Sequence, residues 1–480
     1  MPINTTIHST DATIEEKTPS KSLNLQDFLN NSAVSAFQWR VGLLAFTILI
    51  CDGFDIVAIG FILPSLINDW HVTREALGPA LVAGLLGLAT GAFCGGPIAD
   101  HIGRRKVIIG SVMFFGLMSL ATAWSTSLTM LVIMRFLTGL GLGASQPNTG
   151  TLMSEFAPRR HRSVFVTLTY CGFTVGAAVG GFLSAGMLAS YGWPSILIIG
   201  GIVPMIFVVF YYFWLPESPR YLSLHPERHG DLVKIVNKIK PGKAGPDTKF
   251  INEAIVKSKV PFVRIVTPPY LQVTVLLWLG VFCAQVTVYL MNSWLPTLVK
   301  DVGFSVGDAA LIGAMGQVGG TVGNIFIGWA MDKWEQHRVV CWVLFIGALA
   351  AIALGVAAMG VKLSLPILMV MIFVIGLTTN CTHTAWYPMS TNFYPTEMRA
   401  TGTGWTTFFG RLGGISGASV GAVLLALHLT MGEIFWFLCL PIGIGIFASF
   451  AKGRLMKKRE TGQPVPEAKR LVAEAARTTD

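Results

Sequence analysis

The chain has 480 residues, 52% of them hydrophobic and only 12% charged, with a formal net charge of +10. Soluble domains of ordinary make-up carry about 25% charged residues, so a water-soluble globular fold is excluded. The basic residues sit at the ends of apolar runs rather than in one patch, which argues against nucleic-acid binding.

The first 40 residues are polar and contain no apolar core of signal-peptide type, so no cleaved leader is expected and residues 1–40 read as a cytoplasmic tail. Twelve apolar segments follow, at about 41–66, 77–99, 107–125, 128–150, 164–190, 194–215, 271–299, 308–331, 339–359, 364–391, 400–427 and 432–451. They are continuous rather than alternating, so helices rather than barrel strands cross the bilayer, and the fold class is an all-α membrane protein. Charge alternates between the connections. One side carries Arg104, Arg105, Lys106, Arg159, Arg160, Arg162, Lys333, Arg338 and Arg399, the other only Arg74, Lys300 and Lys362. The positive-inside rule therefore puts both termini in the cytoplasm. Residues 216–270 form the one long connection, a Lys- and Pro-rich cytoplasmic linker with a helix near 227–240. It separates a six-helix bundle over 41–215 from a second over 271–451, and 452–480 form a second cytoplasmic tail.

The two halves repeat. Leu63-Pro64-Ser65-Leu66 recurs as Leu295-Pro296-Thr297-Leu298, and Gly96 to Asp100 recurs as Gly328 to Asp332, both offset by 232 residues. Parallel repeats with a site near the midplane between them are a transporter plan.

The first segment contains Asp52 and Asp55 and no other charge between Val41 and Leu66. Each ionised Asp at mid-membrane costs about 2.5–3.5 kcal/mol on the insertion scale, so an acid retained there serves a function by default. Three residues apart on a helix, the two share a face. Positions 232 further on are Ala284 and Thr287, so the shared scaffold does not need the acids. Arg135 and Arg411 are intramembrane cations of the fourth and eleventh segments with no Arg at the corresponding place in the other half. An Arg fork matches a carboxylate bidentately. The seven cysteines lie within apolar segments with no C-x-x-C pair, and no metal-ligand or Walker A pattern occurs, so neither metal nor cofactor is expected. Nor is there a Ser/His dyad of an intramembrane enzyme.

Gly96-Pro-Ile-Ala-Asp100-His-Ile-Gly103-Arg104-Arg105-Lys106 resembles the signature loop G-x-x-x-D-x-x-G-R-[RK] of the major facilitator superfamily. Arg135 to Gly139 resembles its fourth-helix motif, and Pro216-Glu217-Ser218-Pro219-Arg220 its end-of-sixth-helix motif. Asp52-Gly53-Phe54-Asp55 resembles the D-G-x-D of the aromatic acid:proton symporter family, and the lead-in from Ser22 to Val41 resembles members that import 4-hydroxybenzoate and protocatechuate. The resemblance implies a bacterial inner-membrane transporter, a functional monomer, importing a small aromatic carboxylate with protons by alternating access. On that basis Asp52 and Asp55 are expected to carry the proton. Arg411 is expected to hold the substrate carboxylate or a charge partner; Arg135 is open to substrate contact or to pairing with an acid. Trp386 and Tyr387 are candidates to stack on the ring, and His383 to hydrogen-bond a ring hydroxyl or relay protons. Asp100, Gly103, Arg104, Arg105, Glu155, Asp332 and Arg399 are expected to gate the cytoplasmic side, with Glu155–Arg162 and Glu397–Arg399 at matching places. The rival readings are a facilitator for a sugar or another organic anion, and a membrane chemoreceptor. An exporter is disfavoured because its fifth-helix G-P-x-x-G-G is here Gly176-Ala177-Ala178-Val179-Gly180-Gly181.

Overall fold

A computed structural model describes residues 22–246, 248–251, 262–360 and 363–460. The parts of the expected tails beyond these limits, Lys362 and the Glu397 side chain lie outside the described residues.

Among the described residues twelve helices are long and apolar enough to cross a bilayer. We number them α1 (Ala36–Trp70), α2 (Gly78–Ile102), α3 (Arg104–Thr122), α4 (Leu128–Phe156), α5 (Arg162–Tyr191), α6 (Pro194–Trp214), α7 (Leu271–Asp301), α8 (Val306–Lys333), α9 (Gln336–Gly360), α10 (Leu365–Phe393), α11 (Thr396–Ala426) and α12 (Met431–Glu460). Several ends are set by side chains rather than by hydropathy. Ser35 and Gln38 form a reciprocal capping box, so α1 starts ahead of its apolar run. Ser127 and Ser305 cap α4 and α8 through their hydroxyls. Prolines inside the spans, such as Pro64, Pro147 and Pro296, are tolerated because neighbouring helices re-satisfy the freed backbone groups.

The packing follows the repeat. In the first half α1 lies against α5 and α2 against α4; in the second, α7 lies against α11 and α8 against α10. Small residues let the backbones meet. A Cβ on Gly53, between the two acids, would fall 1.9 Å from the carbonyl oxygen of Phe173 on α5. Asp52 and Asp55 are therefore carried on a helix that cannot shift sideways.

The halves touch through α1–α7, α2–α11 and α5–α8. Call the face where α1 begins and α12 ends the terminal face. At the other face the Arg74 guanidinium pairs with Asp301, and Lys300 Nζ donates to the Pro64 carbonyl at 3.2 Å. Deeper in, Thr321 Oγ1 donates to Thr174 Oγ1 at 2.8 Å, and Arg411 Nη2 to Gln146 Oε1 at 2.8 Å. Among the described residues no hydrogen bond or ion pair joins the halves nearer the terminal face than this.

The segment before α1 is structured. Ser22–Asn24 pairs in parallel with Lys249–Ile251 of the linker. A short helix Leu25–Asn31 buries Leu25, Phe28 and Leu29 in one apolar cluster with Leu232, Ile235, Val236 and Ile239 of the linker helix His229–Ile239. The linker is thus docked under the first half, and Asn30 Oδ1 accepts from the Arg159 backbone N–H at 2.9 Å.

Candidate functional site

The two acids of α1 have different surroundings. Asp55 is 1% exposed. Its Oδ1 accepts from Ser119 Oγ of α3, and its Oδ2 from Arg135 Nη1 of α4 at 3.3 Å. Arg135, 4% exposed, also donates from Nη2 to Thr122 Oγ1 at 3.3 Å and Thr138 Oγ1 at 3.4 Å. This is a buried ion pair with most of its remaining polar atoms satisfied, the arrangement that makes such a pair tolerable out of water. Asp52 is fully buried, at 0% exposure, and has no cation beside it. Its one hydrogen bond is a long one, 3.5 Å from Ser145 Oγ of α4, and its Oδ2 has no partner among the described residues. Of the two roles open to Arg135, the structure shows the acid pairing.

A pocket joins this region to the second half. Its walls include Asp55, Arg135 and Thr138 from the first half and Tyr289, Asn292 and Ser293 from α7. Nearby, Arg411 projects from the middle of α11. It donates to Gln146 of the other half, the Tyr289 hydroxyl lies beside it, and it has no carboxylate partner among the described residues. Tyr170 of α5, Tyr289 of α7 and His383 of α10 all lie close enough to feel its charge. Tyr170 sits mid-helix in the bundle interior yet is 36% exposed, as expected for a residue facing an internal space. Tyr289 packs on Gly414, where a Cβ would lie 2.9 Å from the ring. Tyr387 stands edge-on to His383 with ring centres 5.8 Å apart, and its hydroxyl accepts from Gln285 Nε2 at 3.2 Å. Arg411, His383 and Tyr387 are therefore gathered at the interface.

Trp386 is not among them. It is wholly buried on the far side of α10, its ring filling the space left by Gly280 and lining a small cavity with Pro441 and Gly445 of α12. The expected stacking role is corrected on this ground: the next residue along a helix points about 100° away, so Trp386 and Tyr387 cannot share a face.

The terminal-face charges form a net within the first half. Arg104 Nε donates to both Glu155 oxygens at 3.1 Å, Nη1 to Asn148 Oδ1 at 3.2 Å, and Nη2 to Asp100 at 3.4 Å. Glu155, set beside Arg162 in the sequence reading, takes Arg104 and the Ser218 hydroxyl (2.6 Å) instead. Glu217 accepts from the backbone N–H groups of Arg105 and Ser218, both at 3.0 Å. Gly103 has φ +101° and a Cβ there would lie 2.3 Å from Glu217 Oε2, so the loop needs glycine twice over. The Arg105 guanidinium binds the Tyr212 carbonyl. Asp332 and Arg399 are exposed, and no ion pair involves either among the described residues. Sequence reasoning missed Tyr289, Ser119 and Ser145; a hydroxyl in a span is too common a feature to single them out.

Residues 45–418 match the family model described as Major Facilitator Superfamily. The chain is 40% identical over 435 residues to the 4-hydroxybenzoate transporter PcaK of Pseudomonas putida, covering 90% of this chain and 96% of that one. It is 37% identical to a gallate transporter of the same species (90% and 95% covered) and 30% identical to a benzoate transport protein of Acinetobacter baylyi (93% and 95%). Among solved structures, the xylose transporter XylE from E. coli in its inward open conformation superposes with a TM-score of 0.68 at 16% identity, covering 87% of this chain and 96% of that one. The chain is a multi-pass membrane protein that belongs to the major facilitator superfamily.

Proposed function

We propose that this protein is a secondary transporter, a monomer in a bacterial inner membrane with both termini cytoplasmic, that imports a single-ring aromatic carboxylate together with H⁺. The observation that carries the reading is Arg411: a guanidinium at mid-bundle, between the halves, beside tyrosines and with only neutral polar partners, the Gln146 amide and the Tyr289 hydroxyl, among the described residues. A cation at that depth calls for an anion, and its fork suits a carboxylate. The names of the relatives support an aromatic acid as that anion.

Asp52 is assigned the proton and Asp55 a structural role. An ionised Asp52 would be a buried charge with neither counter-ion nor full hydrogen bonding, which costs several kcal/mol. As the neutral acid it can be carried through the low-dielectric interior. Asp55 already has Arg135 and Ser119. The polar contacts between the halves, confined to the midplane and the face opposite the termini, support an arrangement open towards the cytoplasm. In the cycle, proton and anion enter from outside, the halves rock about the midplane, and both ligands leave inside. The test is uptake of labelled 4-hydroxybenzoate into proteoliposomes under an imposed inward proton gradient. Accumulation that collapses with a protonophore is expected; equal uptake with and without the gradient contradicts the coupling.

A further inference from the structure

A second chamber lies one helical turn from the Arg411 level. It is a small pocket between α1, α7, α8 and α10. Its walls are mostly apolar, among them Phe61, Met291 and Ile372, and none of its lining residues is charged. Polar groups converge at one side. Gln317 Nε2 donates to Asn292 Oδ1 at 2.7 Å. That bond uses one end of each amide and leaves a donor on one and an acceptor on the other without a protein partner among the described residues. Asn380 is 7% exposed, and its side-chain amide has no partner among the described residues. It is wedged against α8: a Cβ on Gly320 would come within 2.6 Å of Asn380 Nδ2. An amide held at the wall of an apolar chamber and still accessible from it can hydrogen-bond a polar group that enters, so a ligand offering a hydroxyl there is selected over one that does not.

The register places the chamber relative to the anion site. Asn292 follows Tyr289 by three residues on α7, and Asn380 precedes His383 by three on α10. Three residues rise about 4.5 Å along a helix, so both amides stand one turn towards the face opposite the termini from the groups around Arg411. A benzene ring with a carboxylate at one end and a neutral polar group at the other spans two such levels.

Building on the function proposed above, we propose that Asn380 and the Asn292–Gln317 pair recognise the ring hydroxyl of the transported acid, making the protein selective for ring-hydroxylated over unsubstituted benzoates. The uncharged lining fits a phenol and not a second carboxylate; the apolar walls fit a ring and not a sugar.

The experiment is competition against labelled 4-hydroxybenzoate uptake in proteoliposomes of the full chain, with unlabelled 4-hydroxybenzoate and benzoate as competitors. Wild type is expected to prefer the hydroxylated acid at least about tenfold. In Asn380→Val and, separately, Gln317→Met that preference should fall to within about threefold, through weaker 4-hydroxybenzoate binding with benzoate unchanged. Retained benzoate competition shows that a variant is folded, and either variant alone suffices. Equal weakening of both acids marks the amides as helix glue and overturns this proposal while leaving aromatic-acid transport standing, as does no change in either. A wild type that takes up no aromatic acid overturns both.

Discussion

The two halves share a scaffold and differ in how they treat charge. The first half closes several of its buried charges upon itself: Asp55 on Arg135, Glu155 on Arg104, Glu217 on backbone amides. The second half holds Arg411 without a carboxylate, and Asn380 at a pocket wall without a hydrogen-bond partner, among the described residues. Satisfied buried polar groups make a rigid body, and unsatisfied ones await a ligand. Within the first half Asp52 is a fully buried carboxylate with no cation beside it among the described residues, and that is why the proton is assigned to it. On the proposed function the labour divides: the first half holds the proton and the second reads the anion.

The sharpest way to break this contrast is to exchange the fates of the two acids. Asp52→Asn should reduce gradient-driven accumulation to background while leaving exchange of internal for external substrate measurable, because a permanently neutral side chain mimics the loaded state. Asp55→Asn should act on stability instead. It strands a buried Arg135, at a cost of about 3–5 kcal/mol, seen as a lower unfolding temperature in detergent. Asp55→Asn combined with Arg135→Leu should recover much of that loss, and a double variant no better than the single one would count against a structural pair. In the second half Arg411→Lys keeps the charge but loses the fork. Apparent affinity for 4-hydroxybenzoate should fall about 10–100-fold, as one or two lost charge-assisted hydrogen bonds imply; unaltered affinity would remove the carboxylate clamp. The smallest effect is expected at the opposite face. The Arg74–Asp301 pair is partly exposed, and exposed pairs contribute about 0–1 kcal/mol. Arg74→Ala should shift the inward–outward balance by no more than a few-fold, read as accessibility of a single introduced cysteine to a membrane-impermeant reagent.

Much of the architecture was legible because lipid imposes it: a bilayer demands long apolar helices, and the cations mark their ends. The helix starts were less legible where capping decides, as at Ser35. The pairing of Ser22–Asn24 with Lys249–Ile251 was invisible, since two three-residue strands far apart in sequence leave no periodic signal. Within the site, residue type announced Asp52, Asp55, Arg135 and Arg411, because an ionisable group in a span is rare. Which acid owns Arg135 was not readable, for the two are one turn apart and only the rotation of α1 against α4 separates them. Trp386 misled for the opposite reason: an aromatic next to Tyr387 in sequence lies on another face of the helix.

The most direct measurement follows H⁺ and anion together. Proteoliposomes without an imposed gradient, in lightly buffered medium with a pH electrode, receive a pulse of 4-hydroxybenzoate. The account predicts that wild type alkalinises the medium in proportion to the substrate taken up and that Asp52→Asn produces no such change. Substrate entry without alkalinisation in wild type, or undiminished alkalinisation in Asp52→Asn, would contradict it.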